Sequence, residues 1–138
     1  MKILEIALDT WGKDFEYIMW VDADLVFLDM GLKIEGVAAS HQDAHILFSA
    51  EYSGSTTLVN SGAIIVKNTD FSKMFLKEWW DFADRKYLSD QEQFDLLYKA
   101  KKEEYGLAKR IALLPPDAIN SDPPAMTKQL PRNQVPSI

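Results

Sequence analysis

Cysteine is absent from the 138 residues, so no disulfide framework, thiolate zinc site or cysteine nucleophile can be built. The same absence leaves the redox compartment open. Positive charge is scarce: 15 Lys plus Arg stand against 21 Asp plus Glu, a formal charge of -6. Phosphate backbones are held by basic faces, so this balance argues against nucleic acid as the main partner. An anionic small molecule stays admissible where a metal ion intervenes. Long apolar runs are also missing. The longest uncharged stretch, Tyr52 to Val66, is full of Ser, Thr, Gly and Asn and would not partition into hydrocarbon. The N-terminus carries Lys2 and Glu5 and no cleavage site, so no signal peptide is read. Proline is absent before Leu114. All six prolines lie beyond it, where they cannot donate to a sheet ladder. The chain therefore divides into residues 1–114, which carry the patterned segments, and an irregular proline-rich tail, 115–138.

What is present is a core. At 47 % apolar residues the chain can fold as one domain and is too apolar to be disordered. Leu4, Ala7, Leu8 and Trp11 have helical spacing, and Gly12 closes that helix. Tyr17 to Val21 is apolar without alternation, as in a strand buried on both faces of a parallel sheet. Ile46 to Ala50, Ala63 to Val66 and Ile111 to Leu114 read as further strands, and residues 31–40 as an ambiguous short helix. Phe71, Met74, Phe75, Trp79 and Phe82 predict a helix over 70–86. Ser89-Asp90-Gln91-Glu92 is a capping box opening a helix over 90–105. Strands alternating with helices predict an α/β domain with a mostly parallel sheet. Ligands then bind at the carboxyl ends of the strands.

Asp22-Ala23-Asp24 stands at such an end. In extended chain, residues i and i+2 face one side, so both carboxylates would face the crevice together. Carboxylates held that close repel unless a cation neutralises them, and hard oxygens favour Mg²⁺ or Mn²⁺. That ion could bridge to a diphosphate. Asn60-Ser61-Gly62 precedes a strand, and Gly62 lets backbone approach a ligand closely. Glu51 follows a strand and reaches the same edge. Asp90 and Gln91 open a helix, where an acid also suits the dipole. Trp79 and Trp80 diverge by about 100° on a helix, which puts at least one in the core. A sugar platform is the weaker reading.

Two families place D-x-D after a buried strand. The first is the haloacid-dehalogenase-like phosphatases. Tyr17 to Val26 satisfies their first motif with Asp22 as nucleophile, and Ser49 could imitate their second. Their acidic Mg²⁺ loop is not matched. The second is the nucleotide-sugar-dependent glycosyltransferases of GT-A fold, and here the resemblance is longer. Tyr17 to Met30 resembles the D-x-D segment of the galactosyl/mannosyl/xylosyltransferase family. Val59-Asn60-Ser61-Gly62 through Asn68 is similar to its L-N-x-G stretch, with Lys67 for the usual Arg. Phe71-Ser72 through Trp79-Trp80-Asp81 resembles its W-S…W-W block, with Phe71 for Trp. Ser89-Asp90-Gln91 sits where that family has D-Q or E-Q. Leu113-Leu114-Pro115 through Ile119-Asn120-Ser121 resembles its V-P…N-S end.

That resemblance implies a GT-A-like, Rossmann-like sheet and transfer of a hexose or pentose from a UDP- or GDP-sugar to a glycan hydroxyl, with retention. It implies Mn²⁺ or Mg²⁺ at Asp22 and Asp24. It also implies a donor pocket from Asp22, Asn60, Ser61, Gly62 and Glu51, and Asp90 and Gln91 beside the transferred sugar. The family's upstream nucleotide-binding half has no counterpart before Met1, so a truncated copy is expected. Surface left open there would favour oligomerisation. The family's metal-ligand His follows the segment that ends this chain, and neither His41 nor His45 is assigned that role. Golgi or secretory location is implied for a longer anchored protein, the cytoplasm otherwise. The non-enzymatic alternative is a carbohydrate-binding or truncated subunit.

Overall fold

The computed structural model describes residues 1–12, 14–27, 29–31, 33–82 and 88–120. In chain order they form α1 (Lys2–Trp11), β1 (Tyr17–Val21), α2 (Ile34–Ala39), β2 (Ile46–Ala50), β3 (Val59–Lys67), α3 (Asp70–Asp81), α4 (Asp90–Tyr105), α5 (Leu107–Arg110) and β4 (Ile111–Leu114). Among them no helix is long and apolar enough to cross a membrane.

The strands make one open sheet in the order β1-β3-β2-β4. β1, β2 and β4 share a direction, and β3 runs against them between β1 and β2. The mixed α/β class holds. The expected mostly parallel ladder is corrected in its pairing: only β2–β4 is parallel, while β1–β3 and β2–β3 are antiparallel. The connection explains this. β3 begins at Val59 and not at Ala63, so residues 51–58 alone join it to β2. A parallel crossover needs about a dozen residues or more, which that link does not have.

Alternation sorts the side chains into two faces. Ile46, Phe48, Ile64 and Val66 point to one face, where α1, α3 and α4 supply Leu4, Leu8, Phe75, Trp79, Phe94 and Leu97. The aromatic centre is tight: Phe48 meets Phe94 at 4.8 Å between centroids, and Trp79 meets Phe94 edge-on at 5.3 Å. Leu47, Ile65 and Leu114 point to the other face, covered by Ile34 and Val37 of α2 and by Ala118 and Ile119. Each fully buried large side chain contributes roughly 1.5–3 kcal/mol. β1 departs from expectation. It is half-buried at all five positions, because it is a sheet edge bonded to β3 alone. An apolar run without alternation shows that both faces are covered, not whether a second neighbour exists.

The helices end where local chemistry dictates. Thr69 caps α3 by accepting the Ser72 N–H. The helix expected to reach residue 86 closes at Asp81, and residues 83–87 lie outside the described residues. α4 has the expected capping box: Ser89 N–H donates to Glu92 Oε2 at 2.8 Å, and Ser89 Oγ accepts the Glu92 N–H at 3.2 Å. Gly106, at φ 58°, stops α4 in the left-handed conformation that glycine adopts without penalty. The single turn α5 was not legible in the pattern. Residues 115–120 turn back through Ala118 N–H to Pro115 C=O and cover the second face. Most of the proline-rich tail, residues 121–138, lies outside the described residues.

Candidate functional site

The shared direction of β1, β2 and β4 brings their carboxyl ends to one edge of the sheet, beside the start of β3. The strand termini there read Asp22, Glu51, Leu58 and Pro115, with no Lys or Arg. The opposite edge reads Glu16, His45, Lys67 and Arg110. The edge where ligands are expected is thus acidic.

β3 is bulged at this edge. Phe48 pairs with Ile64, yet the next residue, Ser49, pairs with Asn60. Ser61, Gly62 and Ala63 are therefore looped out of the β2 ladder. The loop is used on its other side: Gly62 C=O accepts the Asp22 N–H at 2.8 Å. Asn60 Oδ1 accepts the Gly62 N–H at 2.9 Å and a bond from Asn120 Nδ2. A Cβ on Gly62 would stand 2.7 Å from Asn120 Nδ2, 3.1 Å from Asn60 Oδ1 and 3.4 Å from Asp22 Oδ2. A side chain at Gly62 would therefore push the Asn120 amide aside. Ser61 is 5 % exposed and lies within the bulge.

Asp22 is held from a second direction. Trp20, two residues earlier on the same strand face, donates its indole N–H to Asp22 Oδ1 at 2.8 Å. The Asp24 expectation needs correction. Leu25 N–H donates to Asp22 C=O at 3.1 Å, so Asp22 to Leu25 is a β-turn and the extended alternation does not reach Asp24. Both carboxylates are exposed. No group of three or more His, Cys, Asp or Glu among the described residues is placed to hold a metal ion. Two hard carboxylates nevertheless fit Mg²⁺ or Mn²⁺, which keep waters and take phosphate oxygens as further ligands. Neither histidine joins them. His41 Nδ1 meets Val37 C=O, and His45 Nδ1 meets Thr69 Oγ1 at the opposite edge.

Gln91 and Asp90 part company. Gln91 Oε1 accepts a bond from Thr57 Oγ1 at 3.4 Å, which places it against the 51–58 connection that also carries Glu51. Asp90 gives its C=O to the Trp79 indole and lines a cleft with Met1, Trp79, Trp80 and Gln93. Trp79 is core, as expected, and Trp80 is partly exposed. Four resides further along α4, Asp95 is 5 % exposed, and burial raises its carboxyl above the usual carboxylate range while the Leu58 N–H opposes the rise.

Three contributors were missed in the sequence. Asn120 lay inside a recognised motif without a role. Ser49, fully buried, accepts the backbone N–H groups of Ile119 at 3.4 Å and Asn120 at 3.1 Å, which seats Asn120 over Gly62. The Trp20 contact could have been found from its i, i+2 spacing with Asp22.

Chemically, the edge offers an oriented carboxylate, a second carboxylate in the adjoining turn, and a linked amide pair. The Asn120–Asn60 bond leaves Asn60 Nδ2 as a donor and Asn120 Oδ1 as an acceptor for hydroxyl groups. A family model described as nucleotide-diphospho-sugar transferase matches residues 12–133. No curated protein and no solved structure matches the chain.

Proposed function

The chain belongs to the nucleotide-diphospho-sugar transferase family, and from that premise we propose that it moves a hexose or pentose from a UDP- or GDP-sugar to a glycan hydroxyl, with retention at the anomeric carbon. The observation that carries the reading is the convergence of Asp22, Asn60 and Asn120 on Gly62 at the carboxyl edge of the sheet. Such an edge is where open α/β sheets take nucleotides.

Asp22 and Asp24 would hold Mn²⁺ or Mg²⁺, and the bound ion would supply Lewis-acid neutralisation of the departing diphosphate. The charge distribution supports that requirement: the strand termini at this edge contribute Asp22 and Glu51 and no Lys or Arg. Trp20 fixes one Asp22 oxygen, so the carboxylate meets its ligand preorganised. Asn60 and Asn120 orient sugar hydroxyls through the amide groups they leave free. Gln91, seated against Thr57, and Glu51, on the same connection, bound the sugar side. Asp90, beside Gln91 at the N-terminus of α4, would flank the transferred sugar.

The test is donor turnover. Release of UDP or GDP from a nucleotide-sugar panel with Mn²⁺ is expected of the unaltered chain and abolished in Asp24→Ala, with the unfolding temperature nearly unchanged. Activity surviving in Asp24→Ala contradicts the metal role. Phosphomonoester hydrolysis with phosphate trapped on Asp22 would instead establish the phosphatase alternative. Glycan binding without metal, indifferent to Asp22 and Asp24, would establish the non-enzymatic one.

A further inference from the structure

Asp95 is a buried carboxylate that no step above uses. Both of its oxygens accept the Leu58 N–H, each at 3.1 Å. Leu58 C=O in turn accepts the Glu51 N–H at 3.0 Å, closing the base of the 51–58 connection. One helical turn before Asp95, on the same face of α4, Gln91 receives the Thr57 hydroxyl at 3.4 Å. Consecutive residues of the connection, Thr57 and Leu58, are thus tied to residues i and i+4 of one helix. Between its ends the connection reads Tyr52-Ser53-Gly54-Ser55-Thr56-Thr57, with little apolar surface to pack. Leu58 anchors its end against the apolar core, and the polar ties from Thr57 to Gln91 and from Leu58 to Asp95 hold it on α4.

We propose that Asp95 is a positioning residue: its carboxylate clamps the 51–58 connection onto α4 and so holds Glu51 and Gln91 in place for the donor sugar. This rests on the transferase reading. Burial of a carboxylate is costly unless it is hydrogen-bonded, and a mere filler at this point of α4 would be apolar. The acid accepts the Leu58 N–H, the one just before β3.

The experiment uses the full chain, Asp95→Ala and Asp95→Asn. Hydrogen exchange of the Leu58 amide is followed beside that of Ile64 in the core. Dissociation constants are measured for UDP-glucose and GDP-mannose, each beside its free nucleotide, with Mn²⁺. In Asp95→Ala the Leu58 amide exchanges faster relative to Ile64. Nucleotide-sugar affinity falls about tenfold, the worth of one lost hydrogen bond to a charged group, while free-nucleotide affinity holds within about twofold. Asp95→Asn, which keeps a carbonyl acceptor, restores both. Unchanged Leu58 exchange in Asp95→Ala overturns the clamp. Faster exchange with sugar and free nucleotide affected alike makes Asp95 structural only and overturns the positioning role. Should Asp95→Ala not fold, Thr57→Val removes the neighbouring tie and must weaken sugar binding in the same direction; an unchanged ratio overturns the proposal. Absence of any nucleotide binding by the unaltered chain contradicts the transferase reading and takes the positioning role with it, whereas Leu58 exchange still reports the clamp separately.

Discussion

The backbone N–H of Asp22 donates to the C=O of Gly62 at 2.8 Å, so the residue that ends β1 is fastened to the bulge of β3. Two stretches forty residues apart in sequence therefore meet at one corner. In the proposed function that corner is the donor site, and its parts can be altered one at a time.

Gly62→Ala places a methyl 2.7 Å from Asn120 Nδ2, closer than side-chain atoms approach. Asn120 must shift, and its bond to Asn60 is strained or broken. Because Gly62 lies at the edge, the expected stability loss is modest, about 1–3 kcal/mol as for other overpacked sites. Nucleotide-sugar affinity falls at least tenfold, the equivalent of about 1.4 kcal/mol. Calorimetric titration beside urea unfolding separates the two effects; full affinity in Gly62→Ala would show that Asn120 has no binding role.

Trp20→Phe keeps the ring and deletes the N–H that holds Asp22 Oδ1. The carboxylate then turns freely, and Mn²⁺-dependent nucleotide binding weakens by roughly tenfold, since hydrogen bonds to charged groups contribute about 1.5–3 kcal/mol. In the unaltered chain the same indole serves as reporter: Mn²⁺ with UDP or GDP should change its fluorescence, and the change should vanish in Trp20→Phe. Equal affinities in the two proteins would remove Trp20 from the site.

Phe94→Ala tests the packing that carries α4. Its ring touches Phe48, Phe75, Trp79 and Tyr98 and is fully buried. Truncation should cost about 3–5 kcal/mol. Urea denaturation followed by far-ultraviolet circular dichroism measures it. A cost below about 1 kcal/mol would contradict the described core.

Acidification should destabilise the opposite edge. Burial, then Arg110, then Lys67 lower the His45 pKa below its ordinary 6.5. A base whose folded pKa is depressed binds fewer protons folded than unfolded between the two values. Its contribution to stability is complete above about 6.5 and is lost as pH falls through the folded pKa. Unfolding temperatures recorded from pH 7.5 down to 5 should fall, less so in His45→Gln. Identical pH profiles would assign the loss elsewhere.

Much of this architecture was legible because its signals are local. Lys2–Trp11 follows from helical spacing, and the α4 start from its capping box. The strands at 17–21, 46–50 and 111–114 follow from short apolar runs. The bulge was not legible. Asn60-Ser61-Gly62 has the composition of a turn, so the strand is read from Ala63, four residues late. The ladder pairing was lost with it. Asp22 was found at its strand end, whereas Asp24 was placed by an alternation that the Asp22–Leu25 turn interrupts. Ser49 and Asn120 met only through tertiary contact, seventy-one residues apart. Spacing rules do not reach that far.

The proposed function stands on Asp22 and Asp24 binding a nucleoside diphosphate through a divalent cation. Thermal unfolding with Mn²⁺ and UDP or GDP, beside Asp24→Ala, tests it most directly. A ligand at a hundredfold its Kd adds about 2.7 kcal/mol, and for a domain of this size that raises the unfolding temperature by several degrees. The account predicts such a rise with one nucleotide, only with Mn²⁺ present, and absent from Asp24→Ala. No rise with either nucleotide, or a rise that persists in Asp24→Ala, would contradict it.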